Sequence, residues 1–371
     1  MPAAPAPSAP SAPPRYAVGT STRVSSIGAA VGLVALGVLA VLPAFVSRSV
    51  IQELFFVFTM LALAQYWNLL AGYAGLVSVG QQAFVGLGGY TLFAATVMAG
   101  LDPVIAVLAG GLVAGLLAVP TAFLVFRLRG AYFAIGTWVV AEVFRLVLAQ
   151  DKQLGGGTGT SLPADVTRSM LGVDAIARAL DVRSPAARDI AAYWGALVLV
   201  VVTLAAIHVM LRSRRGLGLS AIRDSELTAE SVGVDAFASK VFVYIVTACG
   251  TGMTGALIYL QKARISPDAA FSLLDWTADV IFIVVIGGIG TIEGPILGTM
   301  IFYLLQVYLS SFGSWYLIFL GALAILIMLV APGGIWGLIS QRFDVHLFPV
   351  RRRLVVPDTA AKPRPEDTGP P

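Results

Sequence analysis

The chain has 371 residues, 58% of them apolar and only 12% charged, with a mean hydropathy of +0.87. Soluble domains carry roughly a quarter charged residues, so most of this chain belongs in lipid and the fold class is all-α, polytopic and membrane-spanning. The net charge of +4 reports topology rather than nucleic-acid binding, and the lone Cys249 excludes an internal disulfide framework.

Residues 1–24 open with MPAAPAPSAPSAPP, a Pro/Ala-rich tail that cannot bury a core and is expected to be disordered. The first apolar run is long enough to span, which favours an uncleaved helix over a cleaved signal ending near Ala44. At about 20 residues per crossing, ten candidate spans follow: 27–46, 51–70, 82–99, 103–126, 131–149, 190–211, 238–260, 276–291, 294–311 and 315–331. Together they make one membrane domain over 25–340.

Between the second and third spans, Asn68 to Tyr90 reads NLLAGYAGLVSVGQQAFVGLGGY. Gly72, Gly75 and Gly80 break a helix there, and Ser78, Gln81 and Gln82 put polar groups at membrane depth. Non-helical backbone is tolerated at that depth only against protein or a water-filled cavity. Gly75, Ser78, Gly80, Gln81 and Gln82 are therefore candidates for a translocation path; a tight turn at a membrane face is the equal alternative. Further on, Glu142 and Arg145 stand i, i+3 on one helix and can form a neutralised intramembrane pair that locks helices near the outer face.

Residues 151–189 form the longest polar stretch, assigned to the outer face, and its MLGVDAIARAL portion has helical spacing. The loop 212–237 carries Arg212, Arg214, Arg215 and Arg223, which places it in the cytoplasm. It also has the pattern of one short helix over 220–233, with Ser220 as N-cap and Gly233 as stop. In the next span, Gly250 to Gly255 formally match a dinucleotide fingerprint. With no strand–turn–helix unit around them, they read instead as small residues that let helices approach. The pairs Gly28–Gly32, Gly111–Gly115 and Gly294–Gly298 read the same way. Asp275 and Asp279 open a span and can be interfacial. A second glycine-rich break lies at 287–295. The tail 341–371, with Arg351, Arg352 and Arg353, is expected in the cytoplasm against anionic lipid. His208 and His346 stand far apart, with no metal-binding spacing near them, and no phosphate-binding loop occurs in the chain.

Five ordered segments carry a resemblance. GLVSVGQQAFVGLGGYT (75–91), FRLRGAYFAIGTWVVAEVFRLV (126–147), GGGTGTSL (155–162), AIRDSELTAESVGVD (221–235) and IGGIGTIEGPILG (286–298) resemble signatures of the permease subunits of branched-chain amino-acid ABC importers. The similarity covers roughly 50–340 and fits the M-type subunit. Gln82 departs from the His often found there, and Leu227-Thr228 from Ile-Ala.

The resemblance implies an inner-membrane permease for branched-chain or related amino acids that is not itself an enzyme and binds no cofactor, ATP being used by partner subunits. Those partners would be a LivH-type second permease, two cytoplasmic ATPase subunits and an extracytoplasmic solute-binding protein. It further implies that Arg223, Asp224, Glu226 and Glu230 meet the ATPase, with Gly216 and Gly233 letting the chain turn at either end of the helix. An importer for urea, short amides or another small polar solute is the alternative within the class. An ion-gradient-driven secondary transporter would call for paired acidic groups at mid-membrane.

Overall fold

The computed structural model describes residues 17–19, 23–168, 170–343, 347–348 and 353–355. Most of both tails, including His346, Arg351 and Arg352, lies outside them. In chain order the helices are α1 (Arg23–Val41), α2 (Arg48–Asn68), α3 (Gln81–Val97), α4 (Pro103–Val125), α5 (Ala131–Ala149), α6 (Ala164–Arg168), α7 (Val173–Leu180) and α8 (Ser184–Arg212). They continue as α9 (Arg214–Asp224), α10 (Glu226–Ser231), α11 (Ala236–Lys262), α12 (Pro267–Ala270), α13 (Asp279–Gly287), α14 (Glu293–Leu309), α15 (Ser314–Val330) and α16 (Gly334–Phe343). Two small antiparallel pairs complete the described structure. One joins β1 (Ala17–Gly19) to β4 (Arg353–Val355), the other β2 (Thr160–Ser161) to β3 (Arg264–Ile265).

Each of the ten apolar runs appears as helix, because backbone in hydrocarbon must bond within its own segment. Seven helices among the described residues are long and apolar enough to cross a membrane by themselves, and two apolar ones, Gly28–Ala44 and Glu293–Leu309, are shorter. The 17-residue α3 is shorter than a full crossing too. Helix α2 is the axis of the bundle: 89% of its most apolar window is buried by the rest of the chain, against 17% for α5.

Small residues set the tightest packing. A methyl at Gly88 of α3 would overlap the Gly252 carbonyl of α11, and one at Gly255 would overlap Val85. Gly111 and Gly115 of α4 seat against Met253 and Cys249. Lipid gives helices no hydrophobic reason to associate, so close van der Waals contact has to hold them. This is the role expected for the Gly250–Gly255 stretch and for Gly111–Gly115. Gly32, by contrast, meets no other part of the described chain.

One rim of the bundle is fastened by charge. Asp189 is buried at the start of α8 and accepts from Arg48 Nε (2.6 Å) and Gln52 Nε2 (2.8 Å) of α2. Arg145 forks onto both Glu142 oxygens (Nε 2.9 Å to each) and reaches Asp268 of α12 at 2.6 Å. Through Arg145 the pair links α5 to α12. At the opposite rim the buried Glu293 accepts from the Phe348 backbone N–H at 2.8 Å, and the Phe348 ring lies 5.8 Å from that of His208.

Candidate functional site

Helix α2 ends in a π-turn, Leu69–Tyr73, rather than in regular α geometry, a departure frequent at functional sites. Gly75 (φ +70°) then reverses the chain. Residues 75–80 run back into the bundle, and α3 begins at Gln81 in its interior. Gln81 Nε2 donates to the Leu63 carbonyl of α2 (3.4 Å) and to Thr251 Oγ1 of α11 (2.9 Å). Leu63 lies about 15 Å along the helix from Tyr73. Polar partners are spaced along the returning segment. Trp67 Nε1 donates to the Ser78 carbonyl (2.8 Å), Val79 N–H to Thr137 Oγ1 (3.0 Å) and Gly80 N–H to Ser78 Oγ (3.2 Å). Gly80 is pressed against the Thr137 backbone, where a Cβ would not fit.

Gln82 is held by Thr277, which lies in a second π-turn, Leu274–Ala278. Thr277 Oγ1 donates to Gln82 Oε1 and accepts from the Gln82 N–H (3.3 Å). Ser78, Gln81 and Gln82 are all buried. Within this chain Gln81 and Gln82 are paired between helices and the Ser78 hydroxyl is paired locally with the Gly80 N–H, as expected where an unpaired polar group would cost about 1–3 kcal/mol.

The second glycine break meets the first. Asn68 Oδ1 accepts from the Gly290 N–H and Asn68 Nδ2 donates to the Thr291 carbonyl, both at 2.8 Å, while Gln65 Nε2 donates to the Ile292 carbonyl at 2.7 Å. Gly72 lies directly on the Gly290 backbone. Gln65 and Asn68, i and i+3 near the end of an apolar span, are functional candidates that pattern reading left out. Their spacing on one helix face was the available signal.

The element between α8 and α11 differs from the single helix expected over 220–233. It is two helices, α9 and α10, broken at Ser225, whose Oγ caps α10 by accepting from Thr228 N–H (3.3 Å). Ser220 is not a cap; it sits inside α9 and its Oγ donates to the Gly216 carbonyl (3.2 Å). Gly216 is not a turn either, since it is helical and packs on the Leu211 carbonyl with no room for a Cβ. Gly233 does take the left-handed backbone of a stop, at φ +87°. Ile222, Ala229 and Ala236 bury a small core that joins α9, α10 and α11.

The charged residues also divide. Arg223 points inward: its Nη1 donates to the Gly72 carbonyl (2.9 Å) at the π-turn, and it pairs loosely with Asp224 (3.5 Å). A cation there satisfies a carbonyl that the end of α2 leaves without a helical partner. Glu226 is tied to Lys240 of α11 at 2.7 Å. Glu230 faces out, alongside apolar side chains presented away from the bundle: Leu217 (59% exposed), Leu227 (82%) and Val232 (73%). The arrangement is a surface element with apolar knobs, wired by one guanidinium into the junction of two broken helices.

Three comparisons bear on this geometry. The sequence profile of the family described as "Branched-chain amino acid transport system / permease component" matches residues 50–328. Two relatives share 29% identity over 315 residues, covering 82% of this chain and 74% of each relative. They are the high-affinity branched-chain amino acid transport system permease proteins LivM of Escherichia coli (strain K12) and of Salmonella typhimurium (strain LT2). No solved structure matches the chain.

Proposed function

Because the chain belongs to the family of branched-chain amino acid transport system permease components, we propose that it is one permease half of an ATP-binding-cassette importer for branched-chain or related amino acids. It is a multi-pass protein of the inner membrane. Its partners in this reading are a LivH-type permease, two cytoplasmic ATPase subunits that consume the ATP, and an extracytoplasmic binding protein that supplies the amino acid.

The observation that carries the reading is the α9–α10 pair, whose exposed knobs and inward arginine suit it to receive force from outside the bundle. Leu217, Leu227, Val232 and Glu230 dock on an ATPase. Arg223 passes the displacement to Gly72, and Asn68 and Gln65 pass it on to the loop at 288–292. The two breaks then shift together, so that α3 and α14 tilt against α2 and the pathway alternates its opening.

The test is reconstitution with the partner subunits in proteoliposomes. Uptake of leucine is expected to require ATP on the α9–α10 side and loaded binding protein on the other, and to survive collapse of proton and sodium gradients. Gradient-dependent uptake without ATPase subunits would replace this reading with a secondary transporter.

A further inference from the structure

Helices α4 and α8 both pack on α11 but splay apart from each other. The resulting groove, about 550 Å³, is lined wholly by apolar side chains, among them Val104 and Leu108 of α4, Val198 of α8, and Met253 and Leu260 of α11. It lies in the outward half of the bundle, as it runs from the first turn of α4 and the last turn of α11 and is overhung by Met170. It opens to the lipid-facing surface, where Leu108 and Val198 are well exposed.

Arg188 is not one of the lining residues but stands one helical turn before Ala191 and Ala192, which are, on the same face of α8. Its charge is poorly matched. Its Nε is buried and makes no hydrogen bond among the described residues, and its one ion contact is Asp189 at 3.4 Å. Asp189 is already engaged at short range by Arg48 and Gln52. An apolar slot ending in an under-used guanidinium at head-group level has the shape of one amphiphile: acyl chain below, phosphate above.

We propose that this groove is a glycerophospholipid site of the outer leaflet, with one acyl chain between α4 and α8 and the phosphate on Arg188. Native mass spectrometry of the full-length chain, delipidated in mild detergent, tests it with phosphatidylglycerol, phosphatidylethanolamine and the diacylglycerol of the same chains. Both phospholipids are expected to bind saturably at one copy, and diacylglycerol about tenfold or more weaker, the size of one lost charge-assisted hydrogen bond. Arg188→Ala should bring the phospholipids to the diacylglycerol level, and Val198→Trp should displace all three. A thermal melt in lipid-free detergent confirms that each variant is folded. Equal retention of the three lipids, or no response to Arg188→Ala in a folded protein, would reduce the groove to ordinary annular lipid. A cross-link from a photoreactive residue at Val198 to another protein in native membranes would show that a subunit, not a lipid, fills it.

Discussion

Arg223 serves two surroundings at once. By sequence it belongs with Asp224, Glu226 and Glu230, and in space its guanidinium, 36% exposed at the side chain, also bonds a carbonyl of the α2 π-turn. Arg223→Ala should leave insertion and basal ATP hydrolysis intact while lowering leucine imported per ATP hydrolysed. Arg223→Lys, which keeps the cation but has a single ammonium to offer, should fall between the two. An unchanged transport-to-hydrolysis ratio in the alanine variant would remove Arg223 from the transmission route. Gln81 and Gln82 are likewise satisfied from within the bundle. Their pairing with Thr251 and Thr277 means that Gln81→Leu should strand a buried hydroxyl and cost about 1–3 kcal/mol, seen as a lower melting temperature in detergent. Adding Thr251→Val should restore much of the loss, because removing both partners is far cheaper than removing one. Partners separated by 170 or more residues could not be read from the segment 75–91; the polar groups at membrane depth could, and only what satisfies them was missing.

Helices were legible where lipid dictates them and illegible where it does not. All ten apolar runs became helices, since hydropathy and length alone set them. The α9–α10 pair differs from the single expected helix because Gly216 looks like a turn and Ser220 looks like a cap. The burial of Leu219 and Ile222 extends α9 back through them to Arg214. Ser225 then does the capping, and Ser225→Ala should cost α10 about 1 kcal/mol. Gly233→Ala puts an L side chain at φ +87°, at about 1–2 kcal/mol. Both substitutions are expected to weaken stimulation of ATP hydrolysis by loaded binding protein without lowering membrane levels. Wild-type stimulation in both would mean that the shape of α10 is irrelevant to coupling. The broken helices were half legible: glycines announced both breaks, and nothing in either segment announced that Gly72 and Gly290 touch.

At the scale of the molecule, the long-range ties outside the bundle interior sort to two opposite rims. Arg48–Asp189, Arg145–Asp268 and the β2–β3 pair fall at one rim. Arg223–Gly72, Glu226–Lys240 and Glu293–Phe348 fall at the other. In a Cys249→Ala background, single cysteines at Ser161 and Ser225, both exposed, should therefore label oppositely. An impermeant maleimide on intact cells is expected to modify Ser161→Cys and to spare Ser225→Cys until the membrane is opened. The reverse pattern would invert the molecule. The described helices run from Arg23 to Phe343, and the bulk of both tails lies outside the described residues.

The depth at which α3 begins has a consequence for how the protein is made. Its first turn cannot be left in lipid, yet the hydroxyls that satisfy Gln81 and Gln82 belong to Thr251 and Thr277, 170 and 195 positions downstream. At synthesis rates of about 5–20 residues per second, those partners leave the ribosome about 10–40 s after α3 does. During that interval the short helix has to wait beside the insertion machinery or in a hydrated pocket. Nascent chains halted before Thr251 should be recognised as unfinished by membrane proteases, and chains halted beyond the α13 span should not.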